Sequence, residues 1–254
     1  MAMYQNESTV ELLTGKDSKK RKSRIPARLD FLQSATGFVL ALFILFHMLF
    51  ESSILFGKQA MYMLTKFFEG EPFIKPGEPL IISALAFLIF AVFILHALIA
   101  MRKFPSSYRE YQRFRAHGKL LQHADTNLWF IQITTGFMMF FLGSIHLYTM
   151  MTQPQNIGPF ASADRMYSDV AWPMYLMLLV SVVLHAMIGL YRLVIKWGWL
   201  DGHDPRASRI RSRRIAKTMI VFYLVVGLAS LFAYMKIGYE HQNQYGSRYT
   251  EGRK

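Results

Sequence analysis

The sequence predicts an all-α membrane protein in which five transmembrane helices cross the bilayer and the first four form a bundle. Three observations carry that expectation. Over 254 residues the chain is 53% apolar and 15% aromatic but only 18% charged, a balance ordinary for a membrane protein with charged loops and odd for a soluble domain. Five apolar stretches are each long enough to cross a hydrocarbon core about 30 Å thick, which takes roughly 20 helical residues. Four of these stretches each carry one histidine, at positions that repeat between alternate spans.

The spans are expected at about 31–56, 79–101, 127–151, 171–195 and 217–237. Capping or turn chemistry marks several starts: Asp30 before the first, Pro79 at the second, Asp125 to Asn127 at the third and Pro173 at the fourth. The domain reading is therefore an N-terminal segment 1–30, a membrane domain 31–237 and a tail 238–254. The first segment lacks the apolar core of a signal peptide. The tail is polar, carries no motif, and is expected to be poorly ordered.

Orientation follows from Lys and Arg, because basic loops stay cytoplasmic. Segments 1–30, 102–125 and 196–217 carry seven, six and seven of them, against three, one and four in 57–78, 152–170 and 236–254. The N-terminus is thus expected inside and the C-terminus outside. The net charge of +13 is mostly this topology signal. It suits anionic lipid or an acidic cytoplasmic partner, and a nucleic-acid reading is disfavoured. With no cysteine the chain cannot ligate an ordinary iron–sulfur cluster, form a disulfide or use a thiol nucleophile.

The histidines fall into two matched pairs. QSATGFVLALFILFH (33–47) and QITTGFMMFFLGSIH (132–146) share Gln, Thr-Gly-Phe and a histidine at fixed spacing, while HALIAMR at His96 resembles HAMIGLYR at His185. At about 100° per residue, Thr36 lies roughly 20° from the face of His47, and the third span repeats that stripe. Counted along the spans, His47 and His146 lie toward the outer surface, and His96 and His185 toward the cytoplasmic one. Each level draws one histidine from each of two helices. A lone intramembrane histidine is more simply explained by a hydrogen bond across a helix interface. Four, paired by depth and motif, favour metal ligation. Zinc or copper would want closed clusters with thiolate or carboxylate help. Facing imidazoles beside small residues suit bis-histidine haem, with Gly and Thr leaving room for the flat macrocycle. That gives His96 with His185 on one haem and His47 with His146 on a second. For the haem carboxylates the candidate partners are Gln33, Ser34, Trp129, Lys103 and Lys196, with Arg102 and Arg192 also in reach; snorkelling to the interface is the competing role for the basic ones.

Four long segments then carry a resemblance: KSRIPARLDFLQSATGF (22–38), AVFILHALIAMRKFP (91–105), MFFLGSIHLYTMMTQPQNIGP (139–159) and GLYRLVIKWGW (189–199). Over residues 20 to about 235 the chain resembles the dihaem cytochrome b subunits of epsilonproteobacterial menaquinol:fumarate reductases. Menaquinone-reducing succinate dehydrogenases share that architecture. The resemblance implies two haem b groups, the proximal on His96 and His185 and the distal on His47 and His146. It also implies menaquinol as substrate, an inner-membrane location, and iron–sulfur and flavoprotein subunits on the cytoplasmic side, with such trimers pairing into a dimer. The chain has no flavin-binding glycine fingerprint, so dicarboxylate chemistry belongs to partners. In MLTKFFEGEPF (63–73), Glu69 aligns with the family glutamate assigned to menaquinol oxidation; without the resemblance it reads as a solvated loop acid.

One departure matters. Better-known members carry a proton-carrying glutamate two residues before the fourth-span histidine, and here that position is Val183. Transmembrane electron transfer would then be uncompensated. Glu51, the other acid within a span, reads as too far out to replace it directly. Two rivals remain: another b-type redox subunit, whose histidine arrangement does not match, and a transporter using histidine proton relays, which would want Gly/Pro-broken helices at the midplane. A purely structural anchor leaves the four histidines unexplained.

Overall fold

The computed structural model describes residues 24–104, 107–121 and 124–250, so the first 23 residues and the last four lie outside it. Helix α1 (Ile25–Glu51) begins before the apolar run because Pro26 supplies the fixed φ of a first turn. Asp30 consequently sits inside the helix and caps nothing. After α1 a 3-10 turn (Ser52–Phe56) ends at Gly57, whose φ of 111° suits glycine alone. The short outer helix α2 (Lys58–Phe68) leads to α3 (Leu80–Met101), which starts directly after Pro79. A polar helix, α4 (Tyr108–Leu121), joins α3 to α5 (Ala124–Thr152), which takes in Asp125 to Asn127 as its first turn. A second short helix, α6 (Pro159–Tyr167), precedes α7 (Trp172–Trp197), which has Pro173 in its first turn and closes on left-handed Gly198. Helix α8 (Pro205–His241) is 37 residues long. The Asp204 carboxylate accepts from the amides of Arg206 and Ala207 at 2.9 and 3.1 Å, and so starts the helix well ahead of the apolar run at 217.

Among the described residues five helices, α1, α3, α5, α7 and α8, are long and apolar enough to cross a membrane. The first four close a ring: α1 packs on α3, α3 on α5, α5 on α7, and α7 back on α1. Helix α8 stands outside the ring against α7, with α6 resting on its outer end. Large side chains such as Phe46, Phe87, Phe137 and Phe232 are more than half exposed on the periphery, a surface that suits hydrocarbon. Between α7 and α8 the packing is dry, with Val183, Met187 and Tyr223 at its centre and Val183 wholly buried.

The expectation of a poorly ordered tail is corrected. Residues up to 250 fold back over the outer end, because the tail supplies partners for a buried carboxylate. Asp164 accepts from His241 Nδ1 at 2.9 Å and from the Gly246 amide at 3.0 Å. His241 Nε2 meets Ser247 Oγ at 2.9 Å, and the ring stacks on Phe160 at 4.0 Å. Tyr249 reaches Gln59 of α2, and Arg248 pairs with Asn156. Both His241 and Asp164 are buried, so each needs the other. Replacing His241 by Ala is therefore expected to lower stability by about 1–3 kcal/mol, read as a lower unfolding temperature of the purified protein.

Candidate functional site

The helix ring encloses a cavity of about 890 Å³ that runs between all four span histidines. Its wall is apolar except at the two ends. Each histidine pair meets across it. The ring centres of His96 (α3) and His185 (α7) lie 6.4 Å apart with planes at 89°, and those of His47 (α1) and His146 (α5) lie 6.1 Å apart at 51°. Two imidazoles sharing one metal through nitrogens at about 2 Å have ring centres roughly 6 Å apart. Both pairs have that spacing. Among the described residues no group of three or more His, Asp or Glu is placed to hold a bare ion, so each pair leaves most of a coordination shell to be filled by something else.

The matched motifs act one helix away from where the sequence placed them. His185 Nδ1 lies 2.8 Å from the Gln132 carbonyl. A carbonyl only accepts, so that nitrogen carries the proton and Nε2 is left as a bare lone pair. His96 Nδ1 lies 3.0 Å from Thr36 Oγ1. The Thr36 hydroxyl donates to the Leu32 carbonyl at 2.8 Å, and so receives the His96 proton by the same logic. Each Gln-x-x-Thr-Gly segment thus holds the inner histidine of the neighbouring helix. The glycines serve this contact. A methyl on Gly37 would come 2.9 Å from the His96 ring, and one on Gly136 2.7 Å from the His185 ring. Both glycines also line the cavity, so they make room for a neighbouring imidazole as well as facing the interior the sequence assigned to them. At the outer pair, His146 Nδ1 lies 3.3 Å from the Tyr175 hydroxyl and His47 stacks on Phe43.

The end of the cavity beside His96 and His185 is polar. Gln33, Ser34, Trp129, Lys103, Arg192 and Lys196 all line it. Ser34 Oγ receives a bond from Lys196 at 2.8 Å, and Arg192 donates to the Gln132 side chain at 2.9 Å. Buried Gln33 Oε1 has no partner, an unmet need that points to a missing polar group. Arg102 does not line the cavity. With Lys103 and Lys196 it converges on Asp30, and its Nη1 also bonds the Pro26 carbonyl. Asp30 is therefore a three-cation hub binding α1 to α3 and α7.

At the outer end lies a cluster that the sequence reading missed. Arg165 of α6, Tyr175 of α7, Glu51 of α1 and Tyr234 of α8 line the cavity beside His146. Arg165 donates to the Asn156 carbonyl at 2.5 Å, and Tyr234 donates to Glu51 at 3.2 Å. The available signal was one basic residue in an otherwise cation-free loop (152–170), with single tyrosines in apolar spans. Glu69 stands nearby but not in the wall, where Thr65 and Phe68 take its place. It is buried, not solvated, and its carboxylate accepts from Lys66 at 2.6 Å. Burial is the largest single influence on the Lys66 ammonium and pulls it down, but the hydrogen bond and charge of Glu69, with Tyr62 and Glu71, together raise that lysine above its ordinary value. On the lysine side, the ion pair is lost as pH rises through that raised value. Val183 also faces away from the cavity, into the dry α7–α8 packing.

Residues 108–226 match the family described as succinate dehydrogenase/fumarate reductase transmembrane subunit. The chain is 51% identical over 235 residues to the fumarate reductase cytochrome b subunit of Wolinella succinogenes, covering 92% of each chain. It is 48% identical to the fumarate reductase cytochrome b subunit of Helicobacter pylori strain J99, covering 94% of this chain and 92% of that one.

The glycine contacts can be checked directly. Replacing Gly136 by Ala should destabilise by about 1–3 kcal/mol through overpacking against His185. At Gly143 a methyl meets Phe93 at an ordinary 3.5 Å, and that variant should melt within a degree or two of wild type by the same thermal measurement.

Proposed function

This chain belongs to the fumarate reductase cytochrome b subunits, transmembrane members of the succinate dehydrogenase/fumarate reductase family, and from that premise we propose that it carries electrons from menaquinol to a cytoplasmic iron–sulfur partner. In this reading a flavoprotein subunit completes the complex and reduces fumarate, the trimers pair, and the chain sits in the inner membrane with its N-terminus cytoplasmic.

The residues fit two bis-histidine haems. His96 and His185 would hold the one nearer the cytoplasmic partner, and His47 and His146 the other. The observation that carries this is the fixing of protons on His185 and His96 Nδ1, which leaves both Nε2 lone pairs unused on rings whose centres lie 6.4 Å apart. Haem, when bound, supplies one-electron redox chemistry without an open coordination position. The chain's own part is to orient and insulate. The Gln132 carbonyl and Thr36 lock ring orientation. Gln33, Ser34, Trp129, Lys103, Arg192 and Lys196 offer the cations and hydrogen bonds that carboxylates at a haem edge need. The apolar wall keeps water from the path. At the outer surface Glu69, paired with Lys66, is assigned to receiving protons released from menaquinol.

A reduced-minus-oxidised visible spectrum of the purified complex should show two b-type absorptions. Replacing His96 or His185 by Ala should remove one, and replacing His47 or His146 the other; a colourless protein would support the transporter reading.

Val183 bears on energetics. A valine in dry packing binds no proton, so electrons crossing inward go uncompensated and work against or with the membrane potential, at about 2.3 kcal/mol per charge per 100 mV. Proteoliposomes turning over quinol and fumarate should develop a potential, negative on the side facing the catalytic partners. Electroneutral turnover would reject this.

A further inference from the structure

The polar cluster that joins the chain's tail to α6 has no part in the mechanism above. Helix α6 is nine residues long, too short to be stable alone. The end of α8 grips it closely. A methyl on Gly238 would come 2.5 Å from Tyr167 Cβ and 2.6 Å from the Ala163 carbonyl oxygen, so the two backbones touch there. One turn further on, His241 Nδ1 donates to one Asp164 oxygen at 2.9 Å, and the Gly246 amide donates to the other at 3.0 Å. The Tyr245 hydroxyl donates to Asp169 at 2.8 Å. His241 and Asp164 are both buried, so water does not compete for their bond.

Asp164 is followed directly by Arg165, and consecutive side chains on a helix diverge by about 100°. The first is bonded into the tail, and the second lines the cavity. Arg165 Nη2 donates to the Asn156 carbonyl at 2.5 Å, and Arg248 of the tail donates to the side chain of the same asparagine. The tail therefore fixes Arg165 twice, its backbone through Asp164 and its guanidinium through Asn156. Among the described residues lining the cavity, Arg165 is the one cation at the end beside His47 and His146. Its charge is felt at the His146 ring.

We propose that His241 is a positioning residue: through Asp164 it holds Arg165 at the cavity end beside His47 and His146, and so raises the reduction potential of the haem that pair would hold. This deepens the electron-transfer function above and rests on it. An electron arriving at that level adds one negative charge, and a cation fixed nearby favours the reduced form. On a loosened α6 the guanidinium turns toward water, where screening removes most of that effect. The His96–His185 level has its own cations, Lys103, Arg192 and Lys196, and does not depend on the tail.

The test uses the whole purified complex. Each b absorption, assigned by the histidine variants, is followed in a potentiometric titration, and hydrogen exchange across residues 154–169 is read by mass spectrometry on the same samples. Arg165→Gln should lower the reduced-to-oxidised ratio of the haem on His47 and His146 about tenfold at a fixed potential, a fall of about 59 mV for one electron. His241→Ala should lower that ratio about threefold, speed exchange across 154–169 and leave the other haem's potential where it was. His241→Asn, which can still donate to Asp164, should restore both readings. In the Arg165→Gln background, His241→Ala should move the potential no further. Faster exchange with an unmoved potential would make His241 a structural residue only and overturn the proposal. Equal shifts of both haems, or a full His241→Ala effect without Arg165, would overturn it as well. If His241→Ala fails to assemble, Arg248→Ala, which releases only the Asn156 side chain, decides by the same titration, and an unmoved potential there refutes the proposal. Absence of b absorption in the wild-type complex would instead overturn the electron-transfer reading; two intact absorptions with unmoved potentials would remove only this inference.

Discussion

An imidazole placed in hydrocarbon has two nitrogens to satisfy, and the architecture of this protein follows from how that demand is met. Burying a polar group without a partner costs several kcal/mol in a medium with no water. At the inner level the cost is removed on one side of each ring only. The Gln132 carbonyl and the Thr36 hydroxyl occupy Nδ1, and Nε2 is turned to the cavity. Close approach of the helices is a condition for this, because each ring lies against a glycine where any side chain would collide. The same contacts therefore set helix spacing, ring orientation and the protonation state of the free nitrogen.

The two ends of the cavity solve different electrostatic problems. The end beside His96 and His185 gathers cations from α7 and the end of α3 around Asp30 of α1, so basic residues that the sequence reading used for topology also tie three helices of the ring together. The outer end has a single guanidinium, Arg165, with two tyrosines and Glu51 on four different helices. Such a cluster can hold or release a proton, whereas the three-cation hub favours anions. This polarity agrees with a chain that takes protons and electrons from a reductant at one end and delivers electrons at the other.

Helix α8 stands outside the histidine ring yet contributes to its chemistry. It brings Tyr234 to the cavity rim, and its Tyr223 packs against Val183 and donates to the Leu45 carbonyl of α1. The side of α7 carrying Val183 is thereby sealed in apolar contact. The folded tail adds a second seal, because His241 at the end of α8 closes over Asp164 of α6, fixing the short helix that carries Arg165.

The five spans, their order and the two histidine pairs were legible in the sequence because they depend on quantities that run along the chain. Apolar length sets a span, basic loops set its direction, and 1.5 Å of rise per residue sets the depth of a side chain. What the sequence could not decide is what lies across an interface. It put Gly37 and Gly136 on the stripe facing the interior, and they do line the cavity, but their contact with His96 and His185 of the neighbouring helices was not visible in it. It read Asp30 as a cap and the tail as loose, and it separated Glu69 from a solvated loop acid only through the resemblance. For Asp30 and the tail the partner lies far along the chain, Lys103 and Lys196 in the first case and Asp164 for His241 in the second. Glu69 instead pairs with Lys66 three residues before it and is buried by the turn that follows. Periodicity records which face of a helix is buried, but only the packed ring determines which atom meets it there.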